Sequence, residues 1–464
     1  MFLPALGSFG ILDPSDGLYA EGAREMLESG NFLTPAFNYT PFLEKPILVY
    51  WLIALCFKLF GVSEFSARLP AAIAAIVTCC CTYLSTRTFL TRRAAFYGSV
   101  LTMSNVLFAF TGHLALVDME LTCFATIAAL YLFLAIDSES KKKSYYLGIA
   151  YALLSLTILL KGPVMLVVTG LSLLVNYLLL RVMFPAAESK PLFQYLWNLQ
   201  PLFGICTIII LGAPWFIIEN SVTHGAFFQE FFVRQNIGRI AGTVNHLEAW
   251  WFYMPIVIGM FVPWIFMAPL AVQWLRKVLR QKRPLTMRAK LTIFCLSWAA
   301  INFILFSAIP TKLPTYILPI VPLSSLIIGI FLDATARQRF KGRRLPVSGI
   351  VITWYAIMAI LVPTFLVQYY KHKDADFRDL VDLAGPSNLA TFWRDSPAAV
   401  FYHHKKVFLV MTVEDLQNYL KTKGKPHLII VTRDLIPFLK LEAKNPKLVS
   451  LRTKGNFAIF DVEQ

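Results

Sequence analysis

Charge is what this sequence has least of. Only 15% of its 464 residues are Asp, Glu, Lys or Arg, where a soluble domain carries roughly a quarter, and the deficit excludes an ordinary water-soluble fold. Acidic charge is the scarcer sign, 27 residues against 43 basic ones for a formal excess of +16. Nucleic-acid binding is not needed to explain that excess, because the cytoplasmic loops of a polytopic protein collect Lys and Arg. Cysteine is sparse as well. The seven (Cys56, Cys79, Cys80, Cys81, Cys123, Cys206 and Cys295) lie in or beside apolar runs, so neither a disulfide framework nor a Cys-x-x-Cys metal site is readable. The sequence also lacks a Gly-rich phosphate loop, a GxSxG elbow, an HExxH pair and a dinucleotide fingerprint, which disfavours nucleotide binding and serine hydrolysis. By eye it has no internal repeat of 20–50 residues.

What is present is apolar length. Hydrophobic residues make up 57% of the chain and aromatics 14%, and runs of about 20 residues, enough to cross ~30 Å of hydrocarbon, occur ten times. They centre on 67–90, 94–112, 114–136, 144–160, 163–180, 199–218, 252–275, 291–308, 313–332 and 347–370. Alternate connections (87–93, 137–143, 181–196, 276–290 and 333–346) hold 20 Lys and Arg; the intervening ones, with residues 1–66, hold seven. By the positive-inside rule the first set is cytoplasmic and the second faces outward. Residues 1–66 and the tail from 371 then share the outer face. An outward N-terminal segment calls for a preceding helix, and "MFLPALG" reads as the last turn of one, for ten or eleven crossings.

The tail, 371–464, reads as a small soluble α/β domain beside a membrane domain of residues 1–370. Short apolar runs "AAVFYHH", "KVFLVM" and "HLIIVT" alternate with helical stretches, Thr412 and Asp415 form an N-terminal cap signal, and "LVSLRTKGNFAIFDV" reads as a hairpin turning at Lys454-Gly455-Asn456.

Ionisable residues at the outer ends of the spans are the functional candidates, because an ionisable group inside an apolar helix costs roughly 3 kcal/mol. Asp13, Asp16, Glu44, Lys45, Asp118, Glu120, Lys161, Arg234, Arg239, His246 and Lys312 fall on that one face. Asp118 and Glu120 are two residues apart and point roughly 200° apart on a helix, so one of them faces a cavity and the other a neighbouring helix. Lys161-Gly162-Pro163 and Lys312-Leu313-Pro314 each set a lysine at the membrane edge, where cations suit an anionic phosphate. "FLEKPILVYWLIALCFKLFG" is too short to span and suits a helix in the interface, starting near Glu44-Lys45-Pro46. A divalent metal on Glu44 and His246, across two loops, is a weaker expectation.

The order of these segments is familiar. "DPSDGLYAEGAREMLESGNFLTPAFNYTPFLEKPILVYWLIALCFKLFGVSEFSARLP", "LALVDMELTCF", "LLKGPVML", "FFVRQNIGRIAGTVNHLEAWWFYMPIVIGMFVPW" and "TKLPTYILP" resemble, in order over residues 11–333, the polyprenyl-phosphate-sugar-dependent glycosyltransferases, among them aminoarabinose transferases and protein O-mannosyltransferases. The resemblance implies a GT-C fold, an all-α polytopic bundle with its active site at the outer face (first outer loop 1–66, long outer loop 219–251) in a bacterial inner membrane. It also implies a polyprenyl-phosphate-sugar donor and a lipid or protein acceptor. In such enzymes an Asp of the first loop is the catalytic base, matching Asp16 or, by a local shift, Asp13. Asp118 assists it, and Lys45 contacts the donor phosphate. Glu44 in some members helps hold a metal, and His246 matches a histidine of the long loop. Lys312 and Tyr316 lie near the lipid phosphate; Tyr19, Lys161 and Arg239 complete the substrate-binding candidates. Two departures stand out. Ser15-Asp16-Gly17-Leu18-Tyr19-Ala20 replaces the usual acidic pair followed by x-Arg-Tyr-Ala, so Asp16 stands for a Glu and Leu18 for an Arg. A transporter or flippase of lipid-linked saccharide, which would place charges at mid-membrane, and a non-catalytic binder of such a lipid are the competing expectations.

Overall fold

The computed structural model describes all residues except 138–141, 184–190, 244–245, 280–285, 338, 341–342, 345, 386, 394, 423–425, 443–446, 455 and 464. The first loop carries α1 (Ser15–Ser29), the hairpin β1 (Ala36–Phe37) and β2 (Thr40–Pro41), and α2 (Leu48–Phe60). The bundle follows with α3 (Glu64–Thr86), α4 (Arg92–Met103), α5 (Val106–Thr111), α6 (Val117–Asp137), α7 (Lys142–Lys161), α8 (Val164–Met183), α9 (Leu192–Trp197) and α10 (Pro201–Val222). A π-helix (Phe228–Ile237), α11 (Gly238–Ala241), α12 (Tyr253–Met260), α13 (Ala268–Leu279), α14 (Met287–Ala308), a 3-10 helix (Pro314–Ile320) and α15 (Val321–Ala336) complete it.

Among the described residues eight helical segments are long and apolar enough to cross a membrane: α3, α6, α7, α8, α10, α14, the 3-10 helix continued by α15, and Val347–Tyr370. The pair α12 and α13 makes a ninth candidate, bent by 91°. The chain is a multi-pass membrane protein. The expected crossing at 94–112 is corrected to two short helices. α4 stops at Ser104, the Asn105 side chain caps Phe108 N at 3.2 Å, and its amide also donates to Met260 O at 2.8 Å. A side chain that offers the backbone an alternative partner breaks a helix in this way.

Helices α4 and α15 pack with almost no side chain between them. A Cβ on Gly329 would lie 2.5 Å from the Gly98 backbone nitrogen, closer than real atoms approach. Small residues that let backbones touch are the usual membrane solution, because lipid gives apolar faces no incentive to hide.

The C-terminal region begins within α16 (Val347–Ala384), a single 38-residue helix that runs through position 371, past the hairpin β3 (Arg339–Phe340) and β4 (Arg343–Arg344) that precedes it. Beyond it come β5 (Asn388–Phe392), α17 (Pro397–His403), β6 (Val407–Val410), α18 (Val413–Leu420), β7 (His427–Thr432), α19 (Ile436–Glu442), β8 (Lys447–Lys454) and β9 (Phe457–Glu463). The five strands form one mixed sheet in the order β6-β5-β7-β9-β8, with β5 parallel to both its neighbours and β9 antiparallel to β7 and β8. The cap at Thr412 and Asp415 is a reciprocal capping box. Gly455 of the expected hairpin turn lies outside the described residues. "AAVFYHH" is a helix instead of an extended run, because Ser396 caps Ala399 N and Pro397 supplies the preset φ of a first helical turn.

This region packs on the first loop. Asp13 accepts from Ser396 Oγ at 2.5 Å and from Ala398 N at 2.7 Å, and Asn38 exchanges two hydrogen bonds with the Val407 backbone at 2.7 and 2.9 Å. Tyr402 hydroxyl accepts from Ile11 N at 2.7 Å and donates to Glu64 at 3.0 Å. Gly17 makes the close approach possible, since a Cβ there would lie 2.9 Å from Pro397 Cβ.

Candidate active site

The site grows from three helix ends. Helix α7 stops at Lys161 because Gly162 takes a φ of +77°, and Phe231 of the π-helix lies where a Gly162 Cβ would need 3.0 Å. Helix α6 starts at Val117 with Asp118 in its first turn, where a carboxylate favours the dipole. The 3-10 helix starts at Pro314 and carries Thr315 and Tyr316. These ends meet: Lys161 Nζ pairs with Asp118 Oδ1, Thr315 Oγ1 donates to Asp118 Oδ2 at 3.0 Å, and the Lys161 ammonium lies 4.0 Å from the centre of the Tyr316 ring.

The long loop closes the other side. Arg239 donates from Nη1 to the Tyr316 hydroxyl, while its Nε and Nη2 are both held by Gln235 Oε1 at 3.2 and 2.8 Å. Gln235 is buried and in turn donates to Glu230 Oε1 at 3.2 Å. The π-helix that carries this chain is a rare conformation, enriched at functional sites.

Lys45 is the third cation. It sits half-buried within electrostatic range of Arg239, Lys161, Glu44 and Asp118; burial above all, with the two neighbouring cations, lowers its ammonium pKa to about 8. Tyr19, within electrostatic range of Asp118, Tyr316 and Arg239, and Tyr50, within range of Glu44, have rings 5.7 Å apart. Tyr50 is 1% exposed, and its hydroxyl has no hydrogen-bond partner among the described residues. Burial and the Tyr50 neighbour raise the Tyr19 phenol well above its ordinary range. Gly22 makes the room, as a Cβ there would be 2.6 Å from the Tyr50 ring.

The first-loop aspartates are placed differently from the sequence expectation. Asp16 is 2% exposed and takes four donors: Leu12 N at 3.0 Å, Ala115 N at 2.7 Å, and Arg68 Nε and Nη2 at 3.4 and 2.6 Å. Arg68, wholly buried in α3, also binds the carbonyls of Leu6, Phe9 and Gly10 at 2.8, 2.9 and 2.6 Å. Asp16 therefore ties α1 and α3 to the strand of chain that launches α6, three residues before Asp118. Asp13 is taken up by α17. Lys312 is likewise turned away, its ammonium donating to Glu248 O at 2.9 Å and Pro310 O at 3.4 Å, so it fastens the long loop to the start of the 3-10 helix. Burial lowers its pKa.

His246 contributes its carbonyl to Lys312 N at 2.9 Å. Among the described residues no three His, Cys, Asp or Glu side chains form a group that could hold a metal ion. Glu120 is buried, with one carboxylate oxygen unpartnered among the described residues. Sequence reasoning missed Arg68, Gln235, Thr315 and Tyr50. Arg68 alone carried a signal, a guanidinium inside an apolar helix.

Known proteins resemble this chain in sequence and fold. Residues 44–199 match the family described as dolichyl-phosphate-mannose-protein mannosyltransferase. Among curated relatives, an undecaprenyl phosphate-alpha-4-amino-4-deoxy-L-arabinose arabinosyl transferase of Shewanella sediminis is 27% identical over 370 residues, covering 78% of this chain and 63% of its own. One from Pseudomonas fluorescens is 29% identical over 364 residues, covering 75% and 60%. The solved structure of ArnT from Cupriavidus metallidurans bound to undecaprenyl phosphate superposes with a TM-score of 0.80 at 20% identity, over 99% of this chain and 95% of that one. In fold the chain is of the GT-C kind, and in sequence it is similar to the polyprenyl-phosphate-sugar glycosyltransferases. It spans about three-fifths of the length of those two curated relatives. The GT-C architecture extends further, to the archaeal oligosaccharyltransferase AglB from Archaeoglobus fulgidus, with a TM-score of 0.55 at 12% identity over 97% of this chain and 71% of that one. Within the family match fall Glu44, Lys45, Asp118 and Lys161; Arg239 and Tyr316 reach the site from beyond it.

Proposed function

We propose that this protein transfers a sugar from a polyprenyl-phosphate donor to a hydroxyl of a lipid A-like acceptor at the outer, periplasmic face of a bacterial inner membrane. The observation that carries the reading is the convergence of Lys45, Lys161 and Arg239 around Asp118 and Tyr316, at one end of an apolar bundle. The names of the relatives, undecaprenyl-phosphate aminoarabinose transferases, support the donor class.

Charge bookkeeping fits the reaction. Three cationic side chains face two carboxyl side chains, Asp118 and Glu44, and the donor is a phosphodiester with a single negative charge. In the reaction the acceptor oxygen bonds the anomeric carbon, the bond from that carbon to the phosphate oxygen breaks, and the acceptor proton passes to a carboxylate. The leaving polyprenyl phosphate gains its second negative charge as that carboxylate becomes neutral, so Lys45 and Arg239 face charge that grows in the transition state. One displacement inverts the anomeric centre. Asp118 is the base this geometry supports, because it lies among the cations, whereas Asp16 is surrounded by four donors and acts as a positioning residue for α6. Lys161 must release Asp118 as the donor phosphate arrives. Leu18 leaves the guanidinium expected at its position to Arg239.

Purified protein supplied with labelled lipid-linked sugar tests this. Asp118→Asn should lower transfer by roughly 10²–10⁴-fold with donor binding retained. Full transfer by D118N overturns the assignment of the base, and wild-type protein that moves the lipid across vesicles without making a glycoside overturns the reaction.

A further inference from the structure

At the bundle end opposite the candidate active site, two guanidinium groups reach one buried carboxylate, and two more line the adjoining cleft. Arg92 and Arg93 open α4, Arg337 caps α15 and Arg288 opens α14. The Gly98–Gly329 contact is the cause, since it holds α4 and α15 so close that the start of one lies beside the end of the other. Thr91 Oγ1 donates to Asp333 Oδ2 at 2.8 Å, and Arg337 and Arg288 reach the same oxygen at 3.1 and 3.6 Å. Asp333 is fully buried, and its charge serves those two arginines. Arg92 and Arg93 are exposed and have no carboxylate partner among the described residues. Thr91, Arg92, Arg93, Ala336 and Arg337 line a cleft of about 290 Å³ between them.

Membrane topology accounts for basic residues on this face but not for their convergence. Like charges brought together raise each other's energy unless an anion joins them. Guanidinium forks match the oxygens of a phosphate, and the cleft lies where the short helix α4 starts beside the end of the span that α15 completes, at headgroup depth. We propose that this cleft binds phosphate, its occupant being the headgroup of an anionic phospholipid on the face opposite the candidate active site. The bound headgroup supplies the charge that Asp333 is too few to supply, and it steadies the α4–α15 pair.

The test uses the full-length protein in detergent, followed by native mass spectrometry with phosphatidylglycerol or phosphatidylcholine and by thermal unfolding with inorganic phosphate. Wild type should retain phosphatidylglycerol in preference to phosphatidylcholine, and R92Q and R93Q should each weaken that retention roughly fivefold. Arg87→Gln is the control: Arg87 ends α3 on the same face, outside the cleft, with its guanidinium over the Tyr83 ring. Unchanged retention in R87Q supports a site; an equal loss in R87Q, or equal retention of phosphatidylcholine, shows only diffuse attraction and overturns the proposal. A gain in Tm from inorganic phosphate that vanishes in R92Q/R93Q, without selective lipid retention, keeps the phosphate chemistry and replaces the lipid by a soluble anion.

Discussion

Lys45 illustrates how a single side chain can set the working range of the site. Its ammonium titrates at about 8, below the ordinary lysine value, so it is charged below that pH and neutral above it. Donor binding should therefore weaken as pH rises through about 8, seen as a rising KM for the lipid-linked sugar. Lys45→Arg, which does not titrate there, should flatten that limb; an unchanged pH profile in K45R would remove Lys45 from phosphate binding. Gln235 is a positioning residue, and Gln235→Leu frees two of the guanidinium nitrogens it holds on Arg239. A hydrogen bond to a charged group contributes ~1.5–3 kcal/mol, so kcat/KM should fall by roughly tenfold or more, mostly through KM. Loss of kcat alone would speak against the role. Much of this residue set was legible in the sequence. Asp118, Lys161, Lys45 and Tyr316 stand in short motifs with Pro or Gly punctuation, and charge in an apolar chain is conspicuous. The roles of Asp13, Asp16 and Lys312 were not legible, because their partners, Ser396, Arg68 and the Glu248 carbonyl, are 64 or fewer residues away in only two of the three cases and are fixed by tertiary packing alone.

At the scale of elements, α1 and its hairpin carry a buried acid cluster. Glu21 and Glu25 lie one turn apart, Arg24 binds Glu21 through two nitrogens at 2.7 Å, and Glu25 accepts from Tyr39 N at 3.0 Å. Burial first, then the proton shared with Glu21, raises Glu25 to about 8. A carboxyl whose folded pKa is raised favours the fold most below its unfolded value near 4.5, and that contribution is lost as pH rises to about 8. Wild-type Tm should therefore decline across this window, by a few kcal/mol at most in stability, and Glu25→Gln should flatten the decline. A parallel decline in both proteins would assign the effect elsewhere. Apolar length made eight spans readable, and the capping box in α18 was readable from Thr412 and Asp415. The break between α4 and α5 was hidden, because Asn105 looks like any polar residue until Met260 lies beside it. β5 and the helical state of "AAVFYHH" were hidden for a similar reason, since short apolar runs fit strand and helix alike.

For the whole molecule, the decisive contact is the one between the first loop and the C-terminal sheet region. Asp13→Ala removes the acceptor of both Ser396 and Ala398 N, a loss of about 1–2 kcal/mol, and should expose the chain between α16 and β5 to limited proteolysis while the bundle stays intact. An unchanged cleavage pattern would show that Asn38 and Tyr402 hold the region unaided. Helix α16 gives this contact its reach. Its 38 residues form a rod of about 57 Å, so a tilt of ~5° at one end swings the other by about 5 Å. The sheet is thus the tip of a lever, and that tip is held to the chain just before α1, the helix that carries Tyr19 into the site. Such a linkage is reciprocal: a molecule gripping the sheet from outside would retune the donor pocket, and a loaded pocket would change how firmly the sheet can be gripped.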